Sequence, residues 1–251
     1  MRSEDARDRL AALGFRPEDV ATLADHFLDA EARGSVGHGL SRIEWLETWE
    51  KLPVDGRPER VVAEDSYERW DGGSALGYLT LAAAVEAQLA TPPRRARLVV
   101  CSRTFPTGAL GYWVRKLAEG GLVGVLTATS PPRLAPPAGG PPLAGTNPLA
   151  VAIPSGDGPP VVVDVSMGAV THGAVLAGLA RPEQLVPFGG EQAHKAFALA
   201  LGLQLVVDAL TPEDGYGAVL LVARPEADPV PELRRRAAGV RLPGDRLSAR
   251  S

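Results

Sequence analysis

Over the first fifty residues the apolar positions recur at helical spacing, and after that they shift to short continuous or alternating runs. Ser3 is expected to cap a first short helix that ends at Gly14. Pro17 then stands at the first turn of a second helix, with Val20, Leu23, Phe27 and Leu28 on one face and Gly34 as its stop. A third helix is expected from about Ser41 to Lys51, burying Ile43, Leu46 and Trp49. Val61 to Ala63 and Tyr67 to Trp70 read as short strands before the Asp71-Gly72-Gly73 turn. Ser74 is the expected cap of a helix from Leu76 to Leu89, which Pro92-Pro93 closes. Strands follow at 98–102, 123–127, 149–153 and 161–165, around a helix at 111–118. A long apolar helix at 193–210, an Asp214-Gly215 turn and a strand at 218–223 complete the pattern. Helices and strands alternate, so the fold class is mixed α/β or α+β.

At 251 residues and 45% hydrophobic, the chain can bury a substantial core. Two intimately packed parts are expected, a helical region over 1–72 and a mixed α/β body over 73–251. The formal charge of −4 offers no electrostatic basis for binding nucleic acid or an anionic membrane. Arg234, Arg235 and Arg236, with Arg241 and Arg246, read as a solvated helix face or an interface edge. The apolar runs are read as too short or too interrupted for a membrane span. The first residues are charged and resemble no secretory leader. The single cysteine, Cys101, falls in an apolar strand pattern and fits a buried thiol in a reducing compartment. A cytoplasmic location is therefore expected. The Pro- and Gly-rich stretch from Ser130 to Pro142 could pass for a linker.

Several chemistries lack their sequence signals. No Gly-x-Gly-x-x-Gly and no Gly-Lys occur, so neither a classical dinucleotide fingerprint nor a P-loop is present. No Gly-x-Ser-x-Gly elbow supports a serine hydrolase. No His, Cys, Asp or Glu spacing suggests a metal site; His26 with Asp25 or Asp29 is explained by an amphipathic helix. What stands out is Gly145-Thr146-Asn147-Pro148, just before an apolar strand. There Gly145 permits a tight or positive-φ turn, Pro148 fixes φ, and Thr146 and Asn147 can present polar groups at a strand mouth. An ordinary Asn-Pro turn explains the same residues.

Other segments surround this turn in a fixed order: Gly37-His38-Gly39 with Arg42, Gly108-Ala109-Leu110-Gly111-Tyr112-Trp113, Gly124 to Pro132, Val161 to Ser166 with Asp164, and Pro187-Phe188-Gly189-Gly190. In that order the chain resembles the malate/L-lactate dehydrogenase family, non-Rossmann NAD(P)-dependent reductases of 2-oxo acids and cyclic imines. The resemblance covers roughly residues 1–210, and it implies that the Pro- and Gly-rich stretch from Ser130 to Pro142 is an ordered loop connecting a strand to the Gly145-Thr146-Asn147-Pro148 turn. It implies a homodimer, a helical N-terminal region packed on a body with a largely antiparallel or mixed sheet, and NAD(P) as cofactor. The family's proton-donor histidine falls where this chain has Pro106, which cannot ionise. The family's lysine falls at Gln192, with Lys195 three residues on. Only residues 174–186 separate Gly173 from Pro187, where relatives carry a longer insertion, and relatives continue past Asp245. The chain is thus identified as a shortened, degenerate member.

On this resemblance His38 and Arg42 are the candidate catalytic pair, the imidazole giving a proton and the guanidinium holding a carboxylate. Gly145, Thr146, Asn147, Asp164, Gly189 and Gly190 are the candidate cofactor residues, and no metal is expected. Asp164 can orient a histidine, bind a ribose hydroxyl, or cap the next turn. His172 and His194 read as surface or helix-end residues. The expected function is NAD(P)H-dependent reduction of a C=O or C=N in a small 2-oxo or cyclic imino acid. The alternatives are a repurposed scaffold catalysing cyclisation, dehydration or isomerisation, and a pseudoenzyme subunit pairing with a full-length relative. The expected partner is a small metabolite.

Overall fold

A computed structural model describes residues 3–211 and 215–245. Asp214 of the expected turn and Arg246 of the basic cluster lie outside the described residues. The first helices follow the sequence pattern closely: α1 spans Ser3–Ala12, and α2 spans Pro17–Ala32 with its proline in the first turn. Leu23, Phe27 and Ala30 on α2 are buried, and so is His26, because all four lie on one face. The third helix, α3, is shorter than expected and runs from Ser41 to Glu47, with Ile43 and Leu46 buried. Helix α4 is Gly77–Ala90, and here the expected cap is absent. Its N-cap is Leu76 and no side chain caps it, so Ser74 does not perform that role. Gly77 is required instead for close approach, since a Cβ there would lie 2.7 Å from the N of Phe105 and the O of Pro106.

Among the described residues, seven strands form one mixed sheet: β1 (Glu59–Ala63), β2 (Tyr67–Asp71), β3 (Ala96–Ser102), β4 (Val123–Ala128), β5 (Leu149–Ile153), β6 (Val161–Val165) and β7 (Ala218–Ala223). Their order across the sheet is β1-β2-β3-β7-β4-β5-β6. The β2/β3 pair is parallel, and the others are antiparallel. The sheet extends to both sides of residue 72, because β2 is hydrogen-bonded to β3.

Helix α5 (Leu110–Glu119) covers β4 and β5, and it can lie close because the strand residues beneath it are small. A Cβ at Gly124 would already sit 3.1 Å from Leu117 and 3.3 Å from Val114, while Ala150 and Ala152 complete the floor. Strand alternation divides the core. Leu220 and Val222 join the main cluster beneath α4 and α5, whereas Val100 and Val219 meet Val207 on the opposite face.

That opposite face is covered by α7 (Ala193–Leu210), which follows a five-residue helix, α6 (His172–Leu176). Helix α7 corrects one expectation. Gly190–Leu210 has 21 residues and a mean hydropathy of 1.4, long and apolar enough by composition to cross a membrane. Val207 packs on the sheet against Val100 and Val219, Ala200 packs with Leu134, Ala144 and Met167, and Leu199, Leu205 and Val206 are exposed. A last helix, α8 (Val230–Arg236), carries part of the basic cluster, with Arg234 paired to Asp245 at 2.9 Å.

Candidate active site

The candidate pair is positioned by the contact between the α2–α3 connection and α6. Residues 36–38 form a 3-10 turn leading toward α3, and His38 ends it. Gly37 and Gly173 face each other across this contact. A Cβ on Gly37 would be 2.6 Å from the N of Ala174, and one on Gly173 would overlap Arg42 Nη2 and the O of Gly37. Two glycines therefore let the backbones touch. His172, beside Gly173, is brought to the same cavity as His38 and Arg42.

Arg42 is only 7% exposed, and its guanidinium lies over the Trp45 ring at 4.9 Å. Its Nε is buried with no hydrogen-bond partner, and no ion pair to Arg42 is formed among the described residues. His38 is half-buried with its Nδ1 unpartnered. Burial, and then the charge of Arg42, depress its pKa to about 3. Burial also depresses His172, to about 4, with Arg133 and Arg42 adding to the effect. Both imidazoles are accordingly neutral at pH 7.

The cavity between these groups has a volume of about 220 Å³. Arg133, Thr146, Pro106 and Asp164 complete the relevant wall. Pro106, standing where the resemblance expects a histidine, brings no ionisable group to it. One oxygen of Asp164 accepts the N–H of Gly111 at 2.7 Å, so this carboxylate caps the start of α5. The loop before α5 is held from below. His26 Nε2 accepts the N–H of Ala109 at 3.1 Å, and its ring lies among Tyr78, Tyr112 and Trp113 at 4.8 to 5.3 Å.

The Asn-Pro turn contributes differently from its reading in sequence. Thr146 and Pro148 line the cavity, as a site role requires. Asn147 turns away, with φ of 23°, and its amide donates to Ala200 O at 2.9 Å and Gln204 Oε1 at 3.0 Å on α7. Gly145 does not have a positive φ; it is needed because a Cβ there would lie 2.6 Å from Ser130 O and Asn147 Oδ1. Gly189 and Gly190 are exposed, with φ of 106° and 55°, and form the entry to α7 rather than a wall of the cavity. His194 is exposed, as expected of a helix-end residue.

A second cavity, of about 360 Å³, shares Ser35, Ala109 and Asp164 with the first and reaches Arg33, Arg115 and Arg241. A hollow of 220 Å³ is below the ~300–1,000 Å³ of typical ligand sites. The first cavity alone matches a small metabolite in size, and the second adjoins it at the three shared residues. Among the described residues, no group of three or more His, Cys, Asp and Glu is arranged to hold a metal ion.

Sequence reasoning missed Arg133; His172, expected at the surface or at a helix end, is the first residue of α6. Arg133 carried one signal: it is the only charged residue between Glu119 and Asp157. His172 carried none beyond its neighbour Gly173.

Comparison with known proteins agrees with the fold. The profile of the family described as malate/L-lactate dehydrogenase matches residues 3–185. A (2R)-3-sulfolactate dehydrogenase (NADP(+)) of Chromohalobacter salexigens is 31% identical over 171 residues, covering 66% of this chain and 51% of that protein. A Δ1-pyrroline-2-carboxylate/Δ1-piperideine-2-carboxylate reductase of Pseudomonas syringae pv. tomato is 29% identical over 228 residues, covering 79% and 65%. The chain thus spans between about half and two thirds of the length of these relatives. The crystal structure of malate dehydrogenase from Entamoeba histolytica shares the fold with a TM-score of 0.83, at 18% identity, over 98% of this chain and 86% of that one. These relatives are named as dehydrogenases and reductases, which gives the alternative of a non-redox step no support.

Proposed function

The chain belongs to the malate/L-lactate dehydrogenase family, and from that premise we propose that it reduces the C=O or C=N of a small 2-oxo or cyclic imino acid with NAD(P)H. The observation that carries this reading is Arg42, a buried guanidinium without an acidic partner in a cavity the size of a small metabolite. Burying an unpaired charge is costly, and a substrate carboxylate held bidentately removes that cost. Arg42 therefore places the α-carbon of the acid, and the Gly37–Gly173 contact holds Arg42 in position.

The cofactor supplies the hydride when bound. Thr146 and Asp164 would hold its reacting end where the two cavities join, and Arg33 and Arg115 would line the path of the remainder. Asp164, which accepts the Gly111 N–H, would also accept a ribose hydroxyl. Neutral His38 offers a hydrogen bond to the oxygen or nitrogen of the reacting double bond. Pro106 has no proton to give and His38 is neutral, so the proton reaches that atom from a water that His38 orders. The protein works in the cytoplasm as a homodimer, with the exposed apolar face of α7 against its partner.

Fluorescence titration of NADH and NADPH tests the reading. Micromolar binding is expected, together with turnover of a 2-oxo or cyclic imino acid that Arg42→Ala abolishes. A flat titration with both nucleotides rejects it.

A further inference from the structure

Tyr78, in the first turn of α4, lines the same cavity as His38 and Arg42. Its ring is fixed by the core: it meets the ring of His26 edge-on at 5.0 Å and that of Phe27 at 5.2 Å. Gly108 leaves room for it, since a Cβ there would overlap Tyr78 Cε1. Tyr78 is 1% exposed, yet among the described residues nothing hydrogen-bonds its hydroxyl. A buried hydroxyl without a partner is costly, and the packing of the ring would be met equally by phenylalanine. The preceding residue, Gly77, abuts Phe105 N and Pro106 O, so the phenol stands beside the loop that brings Pro106 to the cavity wall.

The charge of Arg42 acts on this hydroxyl: burial raises its pKa above the ordinary tyrosine value, and Arg42 opposes the rise. The phenol thus keeps its proton at neutral pH, and in solution a phenol is a stronger acid than water by about five pK units. The other ionisable groups nearby do not compete. His26, His38 and His172 are neutral, Arg42 and Arg133 hold their charge, and Asp164 accepts the Gly111 N–H. We propose that Tyr78 is the acid that supplies the proton for the reduction, passing it through the water that His38 orders. When the carbon has gained hydride from NAD(P)H, which is oxidised to NAD(P)+, the electron pair of the double bond lies on oxygen or nitrogen, and that atom takes a proton from the water. The water oxygen takes the phenolic proton in turn, and the phenolate, facing Arg42, regains one from solvent after the product leaves. This rests on the reading of the site as that of a reductase.

Tyr78→Phe keeps the ring and removes only the hydroxyl. Reduction of oxaloacetate, pyruvate and Δ1-piperideine-2-carboxylate by NADH and NADPH is measured from pH 6 to pH 9. At pH 7 the variant is expected to lose at least tenfold in kcat, with KM and nucleotide affinity within twofold of wild type and thermal melting unchanged. Its kcat should fall further as the pH rises and recover in imidazole buffer, whose imidazolium can give a proton, while wild-type kcat stays level. Difference absorbance between wild type and variant reads this one phenol without turnover, and it should still hold its proton at pH 9. An unchanged kcat, a pH-independent loss without buffer rescue, or a phenolate at pH 9 would overturn the inference and leave the reductase reading standing. Lack of wild-type turnover with all three acids would also overturn it; nucleotide binding would then retain the reductase reading, and a flat nucleotide titration would reject both.

Discussion

The imidazole of His26, on α2, accepts the backbone N–H of Ala109 at 3.1 Å, joining two segments 83 residues apart just where α5 begins. The bond requires an unprotonated Nε2. Burial depresses the His26 pKa from 6.5 to about 3. In the unfolded chain the same imidazole titrates near 6.5.

The sign of the pH effect follows. Between pH 6.5 and 3 the unfolded chain holds a proton on His26 that the native protein does not, so stability falls as the pH drops through this window. His38 behaves alike, since it too is held at about 3. From pH 7 to pH 5 each contributes a loss of about 2 kcal/mol. Urea denaturation at pH 7, 6 and 5 measures the slope. His26→Gln, which can keep an acceptor for Ala109, should flatten it, and an unchanged slope in that variant would contradict the assignment.

Asn147 ties the Asn-Pro turn to α7 through Ala200 and Gln204. Asn147→Ala removes both hydrogen bonds to α7 and should cost ~0.5–1.5 kcal/mol. The denaturation midpoint at pH 7 reads this loss. Because Thr146 is the adjacent cavity residue, weaker NAD(P)H binding should accompany it.

Gly173→Ala would place a methyl group against Arg42 and the carbonyl of Gly37. The backbone cannot yield there without parting α6 from the 3-10 turn. Substrate affinity should fall at least tenfold, with a smaller effect on NAD(P)H. Parallel titrations of acid and nucleotide make the comparison, and equal losses would argue against a specific effect on Arg42.

Cys101 is fully buried in β3, and burial pushes its thiol up to about 12. A disulfide reagent at pH 8 should therefore leave native protein unmodified and titrate one thiol in urea. Rapid reaction in the native state would show that β3 opens readily.

The sequence by itself determined the elements. Strands β5, β6 and β7 and helix α7 lie at the residues their apolar patterns mark, and Pro17 starts α2. These are local properties, in which side-chain period and backbone stereochemistry act within a few residues. The family was legible too, through motif order, and so was the convergence of His38, Arg42 and Thr146 on one cavity. Only the tertiary structure decided which polar groups keep their charge unpaired. Asn147 looked like a ligand residue but faces α7, whereas Arg133 and His172 looked incidental and face the cavity. Their partners come from distant segments, and the packing of those segments rests on atom-sized clearances such as the one between Gly37 and Gly173. The same holds for α7, whose hydropathy suggests burial while its place on the outer face of the sheet leaves Leu199, Leu205 and Val206 uncovered. Periodicity reports how a segment folds on itself, and which neighbour neutralises a charge or covers an apolar face is set by long-range packing.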